Sequence, residues 1–326
     1  MTHTPTETPE RRHWAAIGER TSVLGIRCLL LIYRLFGRMP FTIVLGPVLL
    51  FYWMSSAQLR RASLTWLTYV NDKTGFIGHK PGAREGLTHL MRFAETILDK
   101  FLAASGLLGF EAVRRHGDDA FLSDPPERGA VILTSHSGCQ ELLSATAGDA
   151  TAHPIVILQH TKHAQAFNDM LRRAGLSPLR AEIVEVTAIT PGTAMMLAGR
   201  VAEGAYIVIA GDRVPIGSNE ALAETTFFGH KADFPTGGAL LALLFHCPLR
   251  MMVSTREGRE KGAPRYRVHF ASLDEAPSVP RKERQAWLAA MAQRYATELE
   301  TELARSPYDW FNFYDFWKPD DAEKTV

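Results

Sequence analysis

The residues best placed to do chemistry lie in the stretch VILTSHSGCQELL, 131 to 143. There an apolar run stops at Ser135 and is followed by His136, a small-residue turn and Glu141. An imidazole titrates close enough to neutrality to take a proton from an attacking hydroxyl or amine. To do so it needs a carboxylate on its other ring nitrogen, which fixes the tautomer and stabilises the imidazolium as it forms. Glu141, five positions on, is the carboxylate this spacing offers. Gly138 between them removes side-chain bulk and lets the backbone turn sharply. Taken alone the H-x4-E spacing is weak evidence, because such pairs arise by chance and a histidine at a strand end is commonly structural. Cys139 offers a thiol nucleophile as an alternative, against the plainer reading of a small, half-buried filler.

Positioning such a pair requires a strand that ends just before His136, and the surrounding pattern supplies one. Short β-branched or aliphatic runs, 130–135, 154–160, 181–186 and 206–211, alternate with helical stretches that begin near Glu141 and cover about 164–174 and 190–202. That alternation predicts a sheet with parallel strands and helices on its faces. A helix over 237–245, strands at 249–257 and 266–271, and an amphipathic helix over about 281–305 complete the pattern. Residues 58 to 108 read as helices, with Leu87, Leu90, Phe93, Ala94, Ile97 and Phe101 at three- and four-residue steps. Turn formers make 117–129 a loop. The expected fold is α/β, with a central mixed, largely parallel sheet flanked by helices. In open sheets of this kind ligands gather outside the carboxyl ends of strands, where His136 falls.

Three cysteines, Cys28, Cys139 and Cys247, lack any paired spacing, which argues against a disulfide framework or zinc knuckle and for a reducing compartment. The first ten residues are polar, so a cleaved signal peptide is not expected. The net charge of +1 hides an asymmetry: residues 11 to 61 hold eight arginines and one acid, Glu19. These arginines are interleaved with apolar stretches rather than with stacking aromatics, which points to an anionic lipid surface and away from nucleic acid. From Met39 to Ala57 nineteen residues run without a charge, flanked by Arg38 and by Arg60-Arg61, close to the roughly 20 that span a bilayer. Pro40 and Pro47 would break or kink a helix there, while Tyr52, Trp53 and the arginines suit an interface. The organisation expected is a polar leader over 1–21, a membrane-anchoring helical segment over 22–61, and a catalytic domain over 62–326.

The H-x4-E pair resembles the H-x4-D/E motif of the lysophospholipid acyltransferase superfamily, and looks most like its lipid A lauroyl and myristoyl acyltransferase branch. The resemblance runs along nearly the whole chain: the arginine-flanked apolar segment, His136 and Glu141, GAYIVIAGDRVP (204–215), FFG (227–229), FPTGGALLAL (234–243) and YDWFNFYDFWKP (308–319). The match is nearer still to a group of predicted acyltransferases that has GDR where the lipid A enzymes have an aspartate-glutamine pair. Departures are the filling Ser137-Gly138-Cys139-Gln140, where an aliphatic filling is common, and Arg213 in place of glutamine, which puts a lipid A acceptor in doubt. The resemblance implies a glycerolipid acyltransferase-like fold and an acyltransferase of the bacterial inner membrane, its catalytic domain on the cytoplasmic face. Acyl transfer would run from acyl carrier protein or coenzyme A to a hydroxyl or amine of a membrane lipid. His136 is then the base and Glu141 its orienting acid, with no metal and no cofactor beyond the donor. Backbone N–H groups after His136, or a nearby cation, would meet the oxyanion.

Under the same resemblance Asp212 and Arg213 bind the acceptor's polar head or the donor's phosphopantetheine, since arginine is a good phosphate ligand. Without it they read as a surface ion pair at a strand end. Phe228, Gly229, Pro235 and Gly237 belong to an acyl-groove wall, or else to an ordinary turn with packing aromatics. Lys162, with His160, is placed to meet an anionic substrate group. His153, His160 and His163 suggest a metal, but no carboxylate or thiol accompanies them. Seven aromatics between Tyr308 and Trp317 either pack on the core or sit at a membrane edge. Two rivals remain: a non-catalytic lipid-binding subunit of a lipid-assembly complex, and a lipid hydrolase. The common nucleophile elbow G-x-S-x-G does not occur in the sequence.

Overall fold

The computed structural model describes residues 31–104, 107–118, 125, 127–140, 142, 153–159, 181–185, 190–213, 222–260, 263–275 and 277–317. Residues 31–36 are helical, and helix α1 (Met39–Ser55) follows, with Pro40 in its first turn and Pro47 inside it. Proline suits a helix start because the first-turn N–H groups have no partner within the helix. At Ser56 the backbone is extended and the hydroxyl caps α2 (Ala57–Thr74) by accepting from Leu59 N at 3.3 Å. The two helices are bent by 98°, and no single described helix is long and apolar enough to cross a membrane. Helix α2 runs across positions 61 and 62, and its Trp66, Leu67 and Val70 are fully buried in the main core. Helix α3 (Ala83–Ala104) buries Leu90, Ala94, Leu98 and Phe101, the periodic stripe the sequence displays.

The sheet strands are β1 (Val113–Gly117), β2 (Ala130–Thr134), β3 (Ile155–Gln159), β4 (Glu182–Glu185), β5 (Tyr206–Ala210), β8 (Leu249–Glu260) and β9 (Ala263–Asp274), in the order β1-β9-β8-β2-β5-β3-β4. Only β8 and β9 pair antiparallel; every other neighbouring pair is parallel. This is the mixed, largely parallel sheet expected. Its central strand β2 is buried along its whole length, as a strand covered on both faces must be. Helices α4 (Pro191–Ala202), α5 (Gly237–Phe245) and α6 (Arg284–Arg305) pack around it. Gly238 lets α5 approach closely, since a Cβ there would lie 2.4 Å from Leu133 Cδ2. The helices expected near Glu141 and over 164–174 lie mainly outside the described residues.

Three strands were not expected. Edge strand β1, VRRHG, is mostly exposed and carries no apolar alternation, so its existence depends on pairing with β9. Strands β6 (Leu222–Phe227) and β7 (His230–Pro235) form a separate hairpin. Its two-residue turn, Phe228-Gly229, has φ of 51° and 84°, the positive values a primed hairpin turn needs.

Candidate active site

The parallel register of β2 and β5 assembles the site. Thr134 pairs with Ala210, each strand then adds one small residue (Ser135, Gly211), and the next positions, His136 and Asp212, meet side by side. His136 Nδ1 lies 2.7 Å from Asp212 Oδ1, and the His136 backbone N–H donates to Asp212 Oδ2 at 2.8 Å. The second oxygen also accepts from Trp310 Nε1 at 2.9 Å. Asp212 is fully buried. Burial alone would raise its pKa, but its interactions with His136, hydrogen bonds included, and the charge of Arg213 outweigh this and hold it below the ordinary carboxylate value. An ionised carboxylate only accepts, so Nδ1 carries the proton and Nε2 keeps its lone pair. The imidazole's own pKa is pushed down, first by burial and next by Arg213, against the upward pull of Asp212. It is therefore a neutral base near pH 7, and its side chain remains 26% exposed.

Among the described residues the carboxylate on the imidazole is Asp212, at Nδ1; Glu141, to which the sequence reading gave the orienting role, lies outside the described residues, as does Lys162. Asp212, expected to bind an acceptor head group, is fully buried, with its oxygens turned to His136 and Trp310. Arg213 donates from Nε to Asn312 Oδ1 at 2.9 Å and from Nη2 to Phe311 O at 3.0 Å, so part of its guanidinium serves the C-terminal segment. Phe228, expected in an acyl-groove wall or an ordinary turn, is buried edge-on against Trp66 at 5.0 Å and, with Gly229, makes the β6–β7 turn. Pro235 ends β7 and Gly237 starts α5. That helix start reaches the site's end of the sheet, where its Gly238 faces Leu133 and Ile209 near the ends of β2 and β5.

The unusual filling after His136 secures the loop. Ser137 Oγ donates to Ser254 O at 2.8 Å and so accepts from Ser135 Oγ at 2.6 Å. Gly138 has φ of 51°, and a Cβ there would lie 2.5 Å from Ser254 O, so only glycine fits. Cys139 is buried beside Leu98, Leu102 and Tyr266, and Gln140 Nε2 donates to Ser135 O. The backbone N–H groups of His136 and Gly138 are spent on Asp212 and on Asp309 O. Neither remains for an oxyanion, whereas the cations of Arg213 and Lys100 both act on the imidazole.

The C-terminal aromatic segment packs on the core. Trp310, Phe311 and Phe316 are buried, and an antiparallel bridge joins Trp310 to Ser137. Sequence reading missed Trp310 as a site residue; the only signal was the aromatic cluster itself. His153 donates from Nδ1 to Gly204 O at 2.7 Å and stacks on Tyr206, while His160 and His163 lie outside the described residues.

Behind the segment, buried His89 donates from Nε2 to Trp310 O at 2.7 Å and accepts at Nδ1 from Ser63 Oγ at 2.9 Å. Burial lowers its pKa from the ordinary 6.5 to about 4. The folded state therefore binds fewer protons than the unfolded chain between those values. Its stabilising contribution is complete above pH 6.5 and is lost as pH falls towards 4, about 3 kcal/mol in all. Urea unfolding midpoints are expected to drop across this window, and to drop less in His89→Gln. Equal losses in both proteins would mean that another group is responsible.

Fold and site together define an α/β protein that presents a carboxylate-oriented imidazole at the carboxyl edge of a mixed, largely parallel sheet. No protein-family model and no curated protein matches the chain. Among solved structures it is similar to the 1-acyl-sn-glycerophosphate acyltransferase PlsC from Thermotoga maritima. The identity is 12%, the alignment covers 86% of this chain and 98% of that one, and the TM-score is 0.34. A likeness this distant decides nothing about the chemistry.

Proposed function

We propose that the protein is an acyltransferase that moves a fatty acyl group from an acyl carrier protein or coenzyme A thioester to a hydroxyl or amine of a membrane lipid. The observation that carries the proposal is the His136–Asp212 pair, with Nδ1 held by a buried carboxylate and Nε2 left as the base. Nε2 takes the acceptor's proton as its oxygen or nitrogen attacks the thioester carbonyl; the carbon–sulfur bond then breaks and the thiol leaves. Asp212 stabilises the imidazolium between these steps. A cation, with Arg213 the chain neighbour, offsets the charge on the oxyanion. The ordered sequence blocks around His136 support this chemistry over that of a hydrolase.

Helix α1 supports attachment to the cytoplasmic face of a bacterial inner membrane. Phe41, Leu49 and Trp53 face the protein, while Met39, Ile43, Val44, Phe51 and Met54 stand 63–72% exposed. Seventeen residues extend about 25 Å, short of the roughly 30 Å hydrocarbon layer, and α2 is committed to the core. Helix α1 by itself therefore reaches into one leaflet. The acceptor is a glycolipid related to lipid A, a lysolipid, an amino-lipid or an aryl-polyene-type head group.

Lipid mass spectrometry of cells with and without the gene tests the proposal. An acylated species that disappears with the gene identifies acceptor and chain together. A species lost with the gene yet restored by the Glu141→Ala and His136→Ala variants would favour the non-catalytic lipid-binding subunit, and accumulation of an acylated precursor on loss of the gene would favour a hydrolase. Flotation of the full chain with anionic vesicles tests attachment, and protein left at the bottom of the gradient rejects it.

A further inference from the structure

We propose that Trp310 is a positioning residue for the base, and that the segment from Asp309 to Asn312 is the strap that makes it one. The proposal rests on the acyltransferase reading of His136. Asp212 hangs on a single short turn after β5, and a carboxylate so placed can rotate about its side-chain bonds unless both oxygens are held. Oδ1 is held by His136 Nδ1. Oδ2 is held from the His136 backbone and, from the opposite chain segment, by Trp310 Nε1.

An indole N–H only donates. It cannot take the carboxylate's place on Nδ1 or accept a proton from it, so it fixes Asp212 as an ionised acceptor without entering the proton transfer. The indole cannot swing away. Its ring is packed against Trp66 at 4.7 Å, Phe316 at 4.8 Å and Phe227 at 5.4 Å between centroids. Its carbonyl is held by His89.

The same strap clamps the base from the other side. Phe311 N–H donates to His136 O at 2.9 Å, and Gly138 N–H donates to Asp309 O at 3.0 Å. Arg213, next to Asp212, holds Phe311 O and Asn312. Acid, base and strap thus form a closed circuit, in which Trp310 is the strap residue that bonds the acid's carboxylate. A buried tryptophan serving the core alone would need an acceptor for its N–H, but any carbonyl would do. Here the acceptor is the carboxylate on the base.

The test uses the full chain labelled with ¹⁵N-histidine. The far-downfield proton of an imidazole Nδ1–H bonded to a carboxylate is followed in wild type, Trp310→Phe, Asp212→Asn and Trp310→3-benzothienyl-alanine. The last replaces Nε1–H by sulfur at nearly constant shape, so it reports on the hydrogen bond even if Trp310→Phe fails to fold. The proton is expected in wild type and lost from the other three proteins. In the two Trp310 variants the acylated lipid is expected to form about 10- to 100-fold more slowly, the effect of losing one hydrogen bond to a charged group. A proton and rate unchanged in both folded Trp310 variants would overturn the strap alone. A proton that survives in Asp212→Asn would overturn the His136–Asp212 pair itself.

Discussion

Replacing His136 with alanine is expected to lower acyl transfer about 10²- to 10⁴-fold, the contribution of a positioned general base, while the fold is retained. The imidazole lies past the end of β2 and stays 26% exposed, so its removal leaves the buried strand and the core beneath it untouched. It does leave Asp212 buried without its main partner, and some stability is lost with it. The measurement is the acylated species in lipid extracts of cells lacking the gene and complemented with either form, with circular dichroism of the purified variant as the fold control. A folded His136→Ala protein that restores the species to wild-type level would sink the mechanism.

Asp212→Asn should cost nearly as much. The amide can accept from Nδ1 only if its own N–H₂ finds another partner, and it can equally donate to Nδ1, which stabilises the tautomer with the proton on Nε2 and abolishes the base. A loss of about 10²- to 10⁴-fold is expected by analogy with the acid of a hydrolytic triad. The pH profile carries a second sign. Asp212 raises the His136 pKa while burial and Arg213 lower it. Removing the negative charge therefore moves the acid limb of any residual activity to lower pH. Glu141→Ala, assayed alongside, decides between the two carboxylates. A small effect there beside a large one at Asp212 assigns the orienting role to Asp212, and the reverse order returns it to Glu141.

Much of this site was written in local pattern. The buried runs that become β2 and β5 are continuous aliphatic stretches, because a strand covered on both faces has no polar side to display. The periodic stripe of α3 and the glycine at 138 are local as well. The position of the proposed base was legible for the same reason: a histidine just past such a run falls at a sheet's carboxyl edge whatever the topology. Even the acid left a trace, since AVILTSH and YIVIAGD place His136 and Asp212 the same two steps beyond their strands.

What the sequence by itself determined, then, is the α/β class, the place of the histidine proposed as base and the apolar helix that precedes the core, because each rests on the pattern of contiguous residues. Tertiary structure alone decided which strands are neighbours, and with that the meeting of Asp212 with His136. The β2–β5 pairing joins residues 76 positions apart, a contact no local spacing encodes. The β6–β7 hairpin, the edge strand β1 and the strap with Trp310 depend in the same way on distant partners. Ser137 and Cys139 looked arbitrary in one dimension, since Ser254 and Tyr266, which they meet, lie on strands that arrive more than a hundred residues later.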